Sequence, residues 1–196
     1  MEKQIYAHFD NEGIYVYQAF KPEIVAAALE KGTFGKGFNM DRMTWIKPSF
    51  AWMLYRSGYA SKHRQEAILK IKICHEGFLE ILREAVPTSH DESLFSSEKE
   101  WHNKLKKSLV RYQWDPERDL HMRKIGRRAI QLGIRGEIVT RYVNEWIISL
   151  EEVTALAHEV KNSLSAKKLP SVPIESIYQI KDQDLRQQMQ ITEAKK

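Results

Sequence analysis

Three cations, Arg42, Lys47 and Arg56, share the stretch RMTWIKPSFAWMLYRSG (Arg42–Gly58) with Trp45, Phe50, Trp52 and Tyr55. A guanidinium offers a planar fork to a phosphate and also stacks on aromatic faces. Trp45, Trp52 and Tyr55 are therefore candidates to stack a base or nicotinamide ring while Arg42 and Arg56 hold a phosphate. Phe50, Met53 and Leu54 read as core. Arg42, Lys47, Arg56 and Ser57 read as functional, and Arg42, Trp45, Arg56 and Ser57 are expected to face a cleft.

A second chemical feature is charge. Between Trp101 and Arg141 there are eleven Lys/Arg and four Asp/Glu, a local balance of +7 within a chain whose net charge is +5. Lys104, Lys106, Lys107, Arg111, Arg123, Arg127 and Arg128 form a candidate phosphate-neutralising surface, with Trp101 or Trp114 available to stack bases. A solvated basic face is the simpler reading of the same residues. The segment YQWDPERDL (Tyr112–Leu120) reads as a strand entering a turn, since Asp before Pro bonds its own backbone.

Other chemistries have little support. The glycines of GTFGKGF do not match a nucleotide fingerprint, and the seven histidines are scattered singly, so no metal site is expected. Cys74 is the one cysteine and ends an apolar strand, which suits an inert residue and excludes an internal disulfide. The start, MEKQIYAHFDNEG, lacks the apolar run of a signal peptide, and no window approaches a membrane span. A cytoplasmic, reduced setting is expected.

These residues need elements to hold them. Proline disfavours α geometry in the residue before it, so Pro48 makes RMTWIK extended. PSFAWMLYRS is then a short helix, which Gly58 closes as a left-handed cap. GIYVYQAF (Gly13–Phe20) reads as a strand, KPEIVAAALEKG as a helix from Pro22 to Gly32, and FGKGFNMDR as a loop. In AILKIKIC (Ala67–Cys74), Leu69, Ile71 and Ile73 alternate with Lys70 and Lys72, which predicts a half-buried strand. HEGFLEILREA is a helix stopped near Pro87, and Ser97 with Glu100 makes a capping box. SLVRYQW and RRAIQLGI are strands separated by a turn at DPERD. RGEIVTRYVNEW is helical, WIISL is extended, and SLEEVTALAHEVKNSL is an amphipathic helix.

With 196 residues, 42% of them apolar and 29% charged, the chain fits one ordinary domain. The irregular mixture of strands and helices predicts α+β architecture, a mixed or antiparallel sheet with packed helices. The domain is expected to span 1–166, followed by an extended or loosely ordered tail over 167–196.

RMTWIKPSFAWMLYRSG, QWDPERDL, RRAIQLGIRG and YVNEWIISLEEVT together resemble the bacterial and fungal family known as domain of unknown function 4291, over about Tyr6 to Leu164. That family name implies no activity. A second, weaker resemblance is carried by VYQAF and the helix IVAAALEKG, which are similar to the opening of ADP-ribosyltransferase-like folds. This resemblance implies an NAD-binding cleft and transferase chemistry. Such enzymes place Arg or His where this chain has Gln18, so Arg56 and Ser57 would have to supply the cation and hydroxyl. By the same resemblance Arg42, Trp45 and Tyr17 would contact the dinucleotide. Glu145, or else Glu137, would be the late glutamate that orients the ribose. Cleaving the bond to nicotinamide builds oxocarbenium character, which a nearby carboxylate stabilises.

Two functions are thus expected. One is an NAD-dependent ADP-ribosyltransferase-like enzyme, acting on nucleic acid, with Gln18 and Glu145 as catalytic residues. The alternative is a non-catalytic nucleic-acid-binding module using the basic 101–141 region.

Overall fold

The computed structural model describes residues 1–166 and 168–192. Two sheets form a single α+β domain. The first is mixed and curls into a half-barrel around its longest strand. Its strands are β1 (Glu2–Lys3), β4 (Thr44–Ile46), β6 (Ala85–Pro87), β7 (Val110–Arg118) and β8 (Lys124–Ile134). One edge of β8 pairs along β7, while the other takes β1 at Arg127–Arg128 and β4 at Leu132–Ile134. The second sheet is antiparallel, in the order β3 (Gly13–Phe20), β5 (Ala67–Cys74), β9 (Ile147–Glu152). A small pair, β2 (Tyr6–Ala7) with β10 (Ser176–Ile177), lies apart.

The two sheets meet where Tyr17 and Lys47 exchange backbone hydrogen bonds, Tyr17 N–H to Lys47 O at 2.7 Å and Lys47 N–H to Tyr17 O at 3.3 Å. This junction sits directly after β4, where Pro48 stops the strand. Ser49 then caps α2 (Phe50–Ser57), its Oγ accepting from Trp52 N–H at 3.2 Å. Gly58, at φ 61°, closes that helix as expected. α1 (Pro22–Lys31) begins at Pro22 and ends at Gly32, also left-handed. α3 (His75–Arg83) follows β5 without a loop, and α4 (Glu98–Lys107) is opened by Ser97 Oγ accepting from Glu100 N–H at 3.2 Å.

Three segments differ from the sequence reading. β7 continues through Asp115–Pro116 to Arg118, and the chain turns at Asp119–Arg123 instead, where Asp119 Oδ1 accepts from His121 and Arg123 N–H. Proline is tolerated in β7 because β6 pairs only Val110–Tyr112, so no strand on that edge needs the missing N–H. RGEIVTRYVNEW splits into α5 (Glu137–Arg141) and a π-helical turn, Tyr142–Trp146. The amphipathic stretch from Ser149 is strand to Glu152, so α6 covers Thr154–Asn162 only. Pairing of Leu69–Lys72 with Ser149–Glu152 overrides the helical pattern there.

β5 is the central strand of its sheet, and Lys72 is buried on what was expected to be the solvent side. It is held there by ion pairs to Asp10 at 2.8 Å and to Glu12. Around the strands, Ile14, Val16, Ile71, Ile73, Phe78, Leu132 and Tyr142 form the larger core, and Tyr17, Phe50, Met53, Leu54 and Ile68 a smaller one beneath α2.

The C-terminal segment is largely without regular structure, yet it is not loosely held. Tyr178, Ile180, Leu185 and Met189 are buried, Leu185 within α7 (Gln183–Gln188). Tyr112 Oη donates to Gln188 O at 2.8 Å and Trp114 Nε1 to Met189 O at 2.9 Å. Glu175 accepts from Phe50 N–H at 2.6 Å, placing a carboxyl at the start of α2; burial raises its pKa to about 8. Four apolar anchors in a polar segment were too sparse to signal this docking. Lys167 and residues 193–196 of the expected tail lie outside the described residues.

Candidate functional site

β3, β4, α2 and two loops line an open cavity of about 480 Å³ at the junction of the sheets, within the size range of small-molecule sites. The glycine-rich loop after α1 contributes Phe38, Asn39 and Arg42, while β4 and its end contribute Thr44, Trp45 and Lys47. α2 adds Arg56, and the segment 63–65 adds His63, Arg64 and Gln65. None of the lining residues is acidic. Arg42, Arg56 and Arg64 are exposed, which leaves their guanidinium groups hydrated and available to an incoming anion.

Trp45 is placed by a glycine. It lies opposite Gly133 in the β4–β8 register, and a Cβ on Gly133 would fall 2.8 Å from Met43 Sδ and 2.9 Å from the Trp45 ring. Gly133→Ala should therefore lower stability by about 1–3 kcal/mol through overpacking. The urea midpoint should fall, and Met43→Ala in the same chain should restore part of it. An unchanged midpoint would show that Trp45 does not rest on the strand.

Left-handed backbone concentrates beside the cavity. Tyr59, Ala60 and Arg64 have φ of 56°, 60° and 62°. Such conformations cost side-chain-bearing residues on the order of 1 kcal/mol each and gather at functional sites. Ser57, wholly buried, holds this turn: its Oγ donates to Met53 O at 2.9 Å and accepts from Ala60 N–H at 3.1 Å. It therefore positions the segment that carries Arg64 and does not line the cavity.

Lys47 is 5% exposed, and among the described residues no carboxylate is in ion-pair contact with it. Its Nζ donates to Trp45 O at 3.2 Å and lies 5.4 Å from the Trp52 ring centroid. Burial, aided by the charge of Arg56 and opposed by Asp115, lowers its pKa to about 7. Asp115 is itself raised by burial, although Gln113 and Gln131 donate to it at 2.8 and 2.6 Å.

Of the residues expected at a dinucleotide site, Gln18, Arg42, Trp45 and Arg56 line one cavity. Gln18 is fully engaged there: its Nε2 donates to Thr44 Oγ1 at 2.6 Å and to Trp45 O at 3.3 Å, and its Oε1 accepts from Tyr142 Oη at 2.9 Å. Tyr17 is elsewhere, buried against Phe50 with ring centroids 5.3 Å apart. Glu145 is exposed on the π-helical turn, paired with Arg141 at 3.1 Å and absent from the cavity wall, as is Glu137 at the start of α5. The expected ribose-orienting glutamate is therefore not supplied by either.

The basic block is divided. Lys104, Lys106 and Lys107 are exposed at the end of α4. Arg111 instead donates to Leu105 O at 3.2 Å, Arg123 pairs with Asp119 at 2.7 Å, and Arg127 covers the Tyr6 ring at 3.6 Å. Arg128 is half-buried on β8 beside Lys3. Trp101 and Trp114 each donate their indole N–H to backbone carbonyls, of Pro87 and Met189.

Sequence reasoning did not place Arg64, Phe38 or Asn39 at the site. The glycine-rich run before Arg42 was a signal for a ligand-facing loop, but its spacing matched no fingerprint. Among the described residues no cluster of three His, Cys, Asp or Glu could hold a metal, and no helix is long and apolar enough to cross a membrane.

The fold and cavity define an α+β protein with a cationic, aromatic-walled pocket between two sheets. The profile of the family described as Domain of unknown function (DUF4291) matches residues 4–178, and the chain belongs to that family. No curated protein matches it.

Proposed function

We propose that this protein binds a phosphate-bearing nucleotide in the cavity between β3, β4 and α2, with NAD as the first candidate and ADP-ribosyl transfer as the candidate reaction. One observation supports this reading most: Arg42, Arg56 and Arg64 converge with Trp45 on a wall that carries no carboxylate. Cations on an acid-free lining favour an anion, and an indole ring beside them favours a flat heterocycle. Binding is better supported than transfer, because the wall lacks the carboxylate that would stabilise an oxocarbenium centre. In the transfer reading that charge must come from the ligand's own phosphates or from the acceptor. Nucleic acid enters as the acceptor, met by the exposed Lys104, Lys106 and Lys107 of α4.

The test is a thermal-shift series with NAD, ADP-ribose, ADP and adenosine, followed by an assay for NAD cleavage with and without RNA or DNA. The phosphate-bearing ligands should raise the melting temperature and adenosine should not. Arg56→Ala should weaken binding on the order of ten- to a hundredfold, the value of a charge-assisted hydrogen bond. Equal shifts with adenosine, or none with any nucleotide at millimolar concentration, would remove the binding proposal. Intact NAD in the presence of nucleic acid would remove transfer and leave binding.

A further inference from the structure

We infer that Lys47 is the reactive amine of this cavity and that it captures the carbonyl group of a phosphate-bearing aldehyde or ketone as an imine. The inference rests on the phosphate-pocket reading above and adds a covalent function to it.

The geometry separates Lys47 from the other buried lysine among the described residues. Lys72 is tied to Asp10 and Glu12, so its charge is fully compensated. Lys47 lines the cavity with a backbone carbonyl as its hydrogen-bond acceptor and the Trp52 ring nearby. The charged groups acting on it are Arg56 from α2, which disfavours the ammonium, and Asp115 from β7, which favours it. Burial outweighs Asp115, and the amine stays substantially unprotonated near neutral pH. A lysine desolvated beside another cation is the arrangement in which an amine acts as a nucleophile on carbonyl carbon. Arg42, Arg56 and Arg64 would hold the phosphate of the same molecule, raising the local concentration of its carbonyl at Nζ.

The step balances without an oxidant or reductant. The Nζ lone pair attacks the carbonyl carbon, the C=O π pair moves to oxygen, and that oxygen takes a proton released by nitrogen. The resulting carbinolamine takes up one proton and loses its hydroxyl as water while the nitrogen lone pair forms the C=N bond, and the iminium so formed returns its N–H proton to solvent. Overall one amine and one carbonyl give one imine and one water.

The experiment uses the whole chain with pyridoxal 5′-phosphate as probe, borohydride to reduce the imine, and peptide mapping by mass spectrometry. The surface lysines serve as internal comparison. Lys47 should be modified about tenfold faster than any exposed lysine at pH 7, with a pH midpoint near 7. Inorganic phosphate or ADP should protect it, and pyridoxal without the phosphate should modify it at least about tenfold more slowly. Arg56→Ala, at an exposed position, should reduce that phosphate advantage while leaving the fold intact. Modification of Lys47 no faster than the surface lysines would overturn the inference. If ADP still raised the melting temperature in that case, nucleotide binding would stand and only the amine's role would fall. Fast modification that pyridoxal and its phosphate share equally would instead overturn the phosphate-bearing ligand class, and with it the pocket reading.

Discussion

Replacing Lys47 with methionine should stabilise the fold strongly at pH 6 and very little at pH 10. Lys47 is 5% exposed, and burial takes its pKa from 10.5 to about 7. In the range between those values the unfolded chain binds the proton and the folded chain does not, so wild-type stability rises with pH there. Below about pH 7 both states are protonated and the full cost of burying the charge is present. Each pKa unit corresponds to about 1.4 kcal/mol, so that cost is on the order of 5 kcal/mol. Methionine fills a similar volume and carries no charge. The gain should therefore be several kcal/mol at pH 6, falling to about 1 kcal/mol by pH 10. Urea melts of both proteins at the two pH values measure it. A gain of equal size at both would mean that Lys47 is not the titrating group. A position held against such a cost is what a functional lysine looks like, since stability and activity commonly oppose each other at working sites.

Gln18→Met should have the opposite sign at every pH. Gln18 is 2% exposed and joins three elements, donating to Thr44 Oγ1 and Trp45 O and accepting from Tyr142 Oη. Methionine removes all three bonds and strands the Tyr142 hydroxyl in the core. At about 1 kcal/mol for each bond, plus about 1–3 kcal/mol for the desolvation of an orphaned hydroxyl, the loss should be on the order of 4–6 kcal/mol. Tyr142→Phe in the same chain should recover part of it, because deleting both partners costs less than deleting one. If Gln18 were instead a catalytic residue with spare hydrogen-bonding capacity, Gln18→Met would leave the urea midpoint nearly unchanged and abolish only activity.

These two residues illustrate how far the chain could be read without coordinates. Gln18 was recognised as important but assigned to catalysis, because a buried amide's partners come from β4 and the π-helical turn, 26 and 124 residues away. Ser57 was recognised for its hydroxyl, yet that hydroxyl is spent on Met53 O and the Ala60 N–H. Glu145 satisfied the expected order along the chain, but it is exposed and paired with Arg141, whereas Tyr142 is buried with its hydroxyl on Gln18. Arg42, Trp45 and Arg56 line one cavity, and Pro48 and Gly58 constrain their segment locally.

Local chemistry alone determined β3, α1, β4, α2 with its two caps, and the α+β class. Each rests on proline, glycine, a capping serine or period-two alternation, which act within a few residues. What only the tertiary structure decided was pairing and burial: that β7 runs through Pro116 because its far edge has no strand partner, and that β9 captures residues with a helical pattern. It also decided that Lys47 is buried beside Arg56, on a wall that no carboxylate shares. Those outcomes depend on contacts across 9 to 83 residues, where the competing free energies are of packing and desolvation, and no local pattern encodes them.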